Sequence, residues 1–300
     1  MAANKAFNAT RGDKIFDICN TIVMLMVLIV TLYPFLNVLA ISLNQSTDTV
    51  RGGIHIFPRA FTLENYATIF QYQGLLTGAW ISVLRTIVGT ILGLLSASML
   101  AFTLSRVDFQ ARKFISTFLA LTMYVTAGLV PTFLLMRDLH LIGTFWVYVL
   151  PGIVSAFNVF IIRSFIDGLP YALQESAKLD GANDFTIYWK VILPLCKPVL
   201  ATIALFLAVG QWNSWFDTYL YNASSPEWTT LQYELMKVLQ QSTQQSGAVN
   251  ANDMAKQMAS ISPESIRMAI TIVVTLPILA VYPFLQKYFV SGMTLGAVKA

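Results

Sequence analysis

A chain that carried out chemistry of its own would have to show reactive groups at workable spacing, and few candidates exist. The only histidines, His55 and His140, are far apart in sequence, as are the only cysteines, Cys19 and Cys196. Such a set supplies neither a clustered Cys/His metal site nor a disulfide framework. No Gly-rich loop ends in Lys-Ser or Lys-Thr, so nucleotide phosphates have no cradle of that type. No paired-His motif and no Gly-x-Ser-x-Gly elbow occurs. The sequence therefore argues against an enzyme: it offers no catalytic residue, no metal ligand and no cofactor of its own. Its 19 Lys and Arg are scattered, which leaves no footprint for nucleic acid.

One segment does carry patterned residues. In 163–197, Pro170 suits a first helical position, and Tyr171 to Asp180 reads as a short helix carrying Leu173, Ala177 and Leu179. Gly181 can end it at a positive φ. Asn183 or Asp184 can cap a second helix through Phe185, Tyr188, Trp189 and Ile192 to Pro194. Two short amphipathic helices joined at a glycine make a knob that either lies on a membrane or docks in a partner's groove.

The elements that hold this knob follow from composition. Of 300 residues, 56% are hydrophobic and only 11% charged, about half the charge of a soluble domain. Six windows lack Asp, Glu, Lys and Arg: Ile18–Leu43, Thr86–Ser105, Phe114–Met136, Leu139–Ile162, Pro198–Phe216 and Met268–Gln286. Each approaches or exceeds the ~20 residues a bilayer demands, and none alternates with period two as a barrel strand would. The expectation is an all-α membrane protein with six transmembrane helices. A cleaved signal peptide is the rival reading of the first window, but its apolar run is too long. Twelve of the basic residues fall in 1–17, 106–113, 163–197 and 287–300, which places both termini in the cytoplasm. Residues 1–17 are then a cytoplasmic N-terminus, 18–290 a single six-helix membrane domain, 217–267 an extracellular loop and 291–300 a cytoplasmic tail. His55 and His140 become solvated or interfacial, and both cysteines lie near the reducing face.

Within the spans, Gly89, Gly93, Ala97 and Ala101 recur every four residues, a small-residue face for close helix packing, most simply inside one subunit. Pro34, Pro131, Pro151 and Pro277 bend helices that neighbours or water can tolerate. With every window free of ionisable residues, a proton- or sodium-driven carrier is disfavoured.

The stretch Glu175-Ser176-Ala177, Gly181, Val191, Leu193-Pro194 resembles the EAA motif of ABC importer permeases: Glu-Ala-Ala, three residues, Gly, nine residues, Ile, one residue, Leu-Pro. Ser176 and Val191 depart from it by small changes. Asp180-Gly181-Ala182 and Lys197-Pro198 are similar to the carbohydrate-importer (maltose-type, binding-protein-dependent) branch. So are Tyr33-Pro34, Phe57-Pro58, Asn65-Tyr66, Trp212-Asn213 and the end from Tyr282-Pro283 to Gly292 and Gly296. Gly12-Asp13-Lys14-Ile15-Phe16-Asp17 resembles the LplC-type subgroup, associated with oligosaccharide or polysaccharide uptake.

The resemblance implies a type I ABC importer permease (MetI-like) fold in a bacterial cytoplasmic membrane. It implies a homologous second permease, two ATPase subunits that bind ATP and Mg, and an extracellular sugar-binding protein that meets the outer loop. The coupling helices would be 170–194, with Glu175, Ser176, Ala177, Asp180, Gly181, Ala182, Leu193 and Pro194 facing an ATPase cleft. Ala177 and Gly181 would be small for close seating. A sugar path wants aromatic faces and amides. Gln211, Trp212, Asn213 and Trp215 supply them within five residues, and Tyr124 and Asn158 are further candidates. The tryptophans fit an interfacial belt equally well. The alternative function is a secondary carrier of polar solutes.

Overall fold

The structure, a computed structural model, describes residues 11–245 and 264–280. In chain order the helices are α1 Arg11–Ser42, α2 Ser46–Thr49, α3 Glu64–Gln71, α4 Gln73–Ser105, α5 Arg112–Thr122 and α6 Leu129–Asp138. After 3₁₀ turns at Phe145–Tyr148 and Leu150–Gly152 come α7 Ala156–Asp167, α8 Ala172–Leu179 and α9 Asp184–Thr186. A π-helical turn, Ile187–Ile192, leads to α10 Leu193–Leu195, α11 Lys197–Asn213, α12 Phe216–Tyr221 and α13 Leu231–Gln245. Residues 264–280 form a last helix, α14. Among the described residues the only extended pairing is a single bridge between Asn44 and Phe61.

The described residues fall into two compact units, one of 11–71 with 242–245 and 264–273, the other of 72–241 with 274–280. In the first, α1 continues through Pro34 and the apolar window of its span is 0% buried within the chain. Such a helix needs lipid or another subunit against it. Its far end is held by a polar knot. Asn65, 1% exposed, donates to the carbonyls of Ser42 and Asn44, each at 2.9 Å, and accepts from Ser46 Oγ at 2.8 Å. Tyr66 shares a hydrogen bond with Ser42, and Tyr33 with His55, an exposed side chain. The Tyr33 and Asn65-Tyr66 positions thus fasten this unit to itself.

In the second unit α4 packs along α11 over a core of Ala97, Ala101, Phe102, Leu104, Ile187, Ile192, Leu200 and Ile203, joined by Val159 and Ile162 of α7. The small-residue stripe is the seam. A Cβ on Gly93 would come within 3.3 Å of Leu207 Cδ1, and one on Gly89 within 2.7 Å of Gln211 Nε2. The stripe is packing inside the subunit, as the simpler reading held.

Span by span, the structure revises the windows. Among the described residues, two helices are long and apolar enough to cross a bilayer alone, Gly12–Ser42 and Gln73–Ser105. Two bent pairs qualify jointly: Phe145–Gly152 with Ala156–Asp167, bent 48°, and Asp184–Leu195 with Lys197–Asn213, bent 83°. The third window, 114–136, is not one helix. The chain leaves helix at Met123 and re-enters it after Gly128, whose φ of 85° no continuing helix permits. Of the sixth window, 268–280 is helical, and the rest lies outside the described residues, as do the C-terminal motif positions and all of 246–263. The second window begins too late: its helix starts at Gln73 and carries Arg85 inside it. Charge-free windows stop at a charge whether or not the helix does.

Candidate functional site

The hairpin α8–α9 forms where the sequence placed it, one or two residues shorter at its start. Its corner is a Schellman closure: Ala182 N donates to Ala177 O at 2.9 Å and Gly181 N to Lys178 O at 3.0 Å, with Gly181 at φ 81°. That geometry explains three motif residues without a partner. Gly181 supplies the left-handed φ, while Ala177 and Ala182, five residues apart at the two ends of the closing bond, both pack against the main core. A Cβ on Gly181 meets nothing within 4 Å, so within this chain its backbone angle rather than crowding demands glycine. Asn183 caps α9 by accepting from Thr186 N at 2.8 Å. The chain then widens into the π turn before Pro194, which has no N–H to close an ordinary turn.

Outward from this corner the hairpin is open. Glu175, Ser176, Asp180 and Pro194 are exposed, Leu193 is half-buried, and Leu179 is 88% exposed. Phe185 and Trp189 stack with planes 5° apart and centroids at 6.1 Å, and both are exposed. An apolar face beside a carboxylate fits a protein groove.

Inward, the hairpin meets a charge cluster that motif reading missed. Arg106, directly after α4, is only 4% exposed. It forks onto Asp108 through Nε at 3.1 Å and Nη2 at 2.9 Å, reaches Gln174 Oε1 of α8 at 3.1 Å, and Asp184 Oδ1 of α9 at 3.1 Å. Lys178 adds a 3.2 Å bond to Asp108. The hydrogen bonds from Arg106, then from Lys178, hold the Asp108 carboxyl down at about 2.

At the opposite end of α4 lies a second buried guanidinium. Arg85, 2% exposed, grips Asp217 at 2.5 Å and 3.2 Å and donates to Gln211 Oε1 at 3.0 Å, over the ring of Tyr148 at 4.4 Å. Gln211 also donates to Tyr148 O at 3.2 Å. At ~1.5 Å per residue, Arg85 stands ~30 Å from Ser105, one hydrocarbon thickness away. The expectation of spans free of ionisable residues fails here. A paired arginine still makes no proton relay, since a guanidinium keeps its proton. Arg85 was legible only as the edge of a window, because Gln211 and Asp217 lie more than a hundred residues away.

The proposed path residues divide. Gln211 has both ends of its amide occupied, and Trp212, 8% exposed, donates to Val274 O at 3.0 Å. Asn213 is exposed and Trp215, half-buried, sits edge-on to Phe216. Tyr124 is 86% exposed and Asn158 6%. Beside Asp217 is an open cleft of ≈ 400 Å³ lined by Thr126, Gly128, Thr132, Phe216 and Tyr221. Among the described residues no group of three or more His, Cys, Asp or Glu could hold a metal ion.

Candidate membrane spans around a helical core, with a hairpin exposed at its edge, define the build of a membrane subunit. Residues 89–295 match the family model of the binding-protein-dependent transport system inner membrane component, and the chain belongs to that family. It is 36% identical to protein LplC of Bacillus subtilis over the full length of both. It is likewise 36% identical to the polygalacturonan/rhamnogalacturonan permease YtcP of the same organism, covering 96% of this chain and 99% of that one. A chain in the crystal structure of a bacterial ABC transporter that imports the acidic polysaccharide alginate superposes with a TM-score of 0.83 at 30% identity, over 93% of this chain and 98% of that one.

Proposed function

We propose that this chain is the membrane-spanning subunit through which an ATP-driven importer moves an oligosaccharide or polysaccharide fragment across the bacterial cytoplasmic membrane. It pairs with a homologous second permease and two ATPase subunits that bind ATP and Mg, and takes sugar from an extracellular binding protein that meets 217–267. Six spans and cytoplasmic termini complete the topology. The observation that carries this reading is the α8–α9 hairpin. Its inner residues are used up in its own closure, while Glu175, Ser176, Asp180, Leu179 and the Phe185–Trp189 pair are left facing out. A separate ATPase that seats this face tilts the attached helices and switches access. Names of the relatives support the cargo, since YtcP serves polygalacturonan and rhamnogalacturonan, and the similar solved chain belongs to an alginate importer.

For the path, Asn213, Trp215 and Tyr124 offer accessible faces, whereas Gln211 and Trp212 form its wall and Asn158 is buried. The experiment is co-purification followed by reconstitution. The ATPase should accompany the wild-type chain in mild detergent and be lost from a Leu179→Glu, Phe185→Glu variant. No ATPase on the wild type, or equal recovery with the variant, removes the reading.

A further inference from the structure

The Arg106 cluster lies outside the EAA residues and adds a charged joint at α8 to the apolar one behind it, where Ile187, Tyr188 and Ile192 pack on α4 and Tyr188 shares a 2.8 Å hydrogen bond with Ser98. Among the described residues, no backbone hydrogen bond links 106–112 to 170–196. The polar connection between them runs through side chains, and two of its three contacts pass through one guanidinium. Arg106 holds Asp108 beside it, Gln174 on α8 and Asp184 on α9, and Lys178 of α8 closes the ring back to Asp108. Gln174 is itself 6% exposed, so two of the five groups are buried. The hub's forked donors suit three acceptors on three elements at fixed angles, which a lysine's single ammonium cannot match. At neither end does the hairpin run on as straight helix: 168–171 is a turn, and an 83° bend separates Asp184–Leu195 from α11.

We propose that Arg106 is a positioning residue that locks the coupling hairpin to α4, so that movement of the hairpin is delivered to α4 as a rigid rod. The rod has a grip at its other end. Arg85 fastens α4 to Asp217 of α12 and to Gln211 of α11, beside the open cleft that Asp217 lines. Between the two arginines α4 runs unbroken along α11. A push on α8 is thereby felt at α12, rather than being absorbed by flexing of the 168–171 turn. This rests on the reading of the hairpin as the ATPase contact.

The test is a distance measurement on the assembled complex of permeases and ATPases. Spin labels replace Val107 and Leu173 of α8, which are 72% and 40% exposed and outside both the cluster and the face assigned to the ATPase. Spectra are taken without nucleotide and with ATP, Mg and vanadate. With Arg106 present the distance should be narrow and the same in both states, because hairpin and rod move together. In Arg106→Ala the distribution should widen about twofold and shift with nucleotide, and Arg106→Lys should fall between. If Arg106→Ala does not assemble, Asp184→Ala decides, since it removes one arm at a surface residue. A distribution as narrow and nucleotide-independent as wild type in the variant that assembles overturns the proposal. Absence of any ATPase from the wild-type preparation would instead overturn the underlying reading.

Discussion

Replacing Arg85 by methionine tests the buried pair most directly. Methionine keeps much of the apolar stem and removes the charge. Left behind are the Asp217 carboxylate, Gln211 Oε1 and the Ser214 carbonyl, all of which accept from the guanidinium. Removing one partner of a buried ion pair costs about 3–5 kcal/mol, chiefly because the other charge is stranded. Asp217 is 22% exposed and still accepts from Thr218 N at 2.9 Å, which places the cost near the lower end, at about 3 kcal/mol. The companion variant Arg85→Met, Asp217→Leu strands no charge and should recover most of that loss, to within about 1 kcal/mol of wild type. Reversible denaturation in mixed micelles, run as a double-mutant cycle, measures both, with a coupling of at least about 1 kcal/mol expected. A single variant as stable as wild type would refute the reasoning. So would a double variant no better than the single.

Three further outcomes follow from named contacts. Gly89→Ala drives a methyl into a Gln211 side chain pinned at both ends, so it should destabilise the subunit by about 1–3 kcal/mol in the same assay, whereas Gly210→Ala, where a Cβ meets nothing within 4 Å, should cost nothing from crowding. Gly181→Ala puts a side chain at φ 81° in open space, so it should cost about 1–2 kcal/mol of hairpin order, read as faster amide exchange in α8 and α9 than in α11. Asp108, depressed from 3.8 to about 2, adds stability above its unfolded value and loses it as pH falls through the folded one. The stability gap between wild type and Asp108→Asn should thus be constant from pH 8 to about 5 and close between about 4 and 2; a gap that closes near neutrality would contradict the Arg106 contact.

Much of the hairpin was readable in one dimension. A Schellman corner and an N-cap use residues within five positions of each other, so Gly181 and Asn183 announce their roles locally. The small-residue face of α4 is readable for the same reason, being a periodicity on one helix. What escaped reading depends on partners remote in sequence. Arg85 looks like the boundary of an apolar window until Asp217 is folded against it, and Arg106 looks like one more basic residue on the inner side. The break at 123–128 escaped as well, because hydropathy counts charges and is blind to a glycine at positive φ.

Composition and motif spacing thus determined that the chain is a helical membrane subunit with a glycine-cornered hairpin, because both are set by the scarcity of charge and by contacts a few residues long. Only the tertiary structure decided which arginines are buried and that α4 is gripped at both ends. It also assigned Gln211 and Trp212 to holding helices together. Those outcomes depend on burial, and burial belongs to surfaces that meet only when distant segments pack.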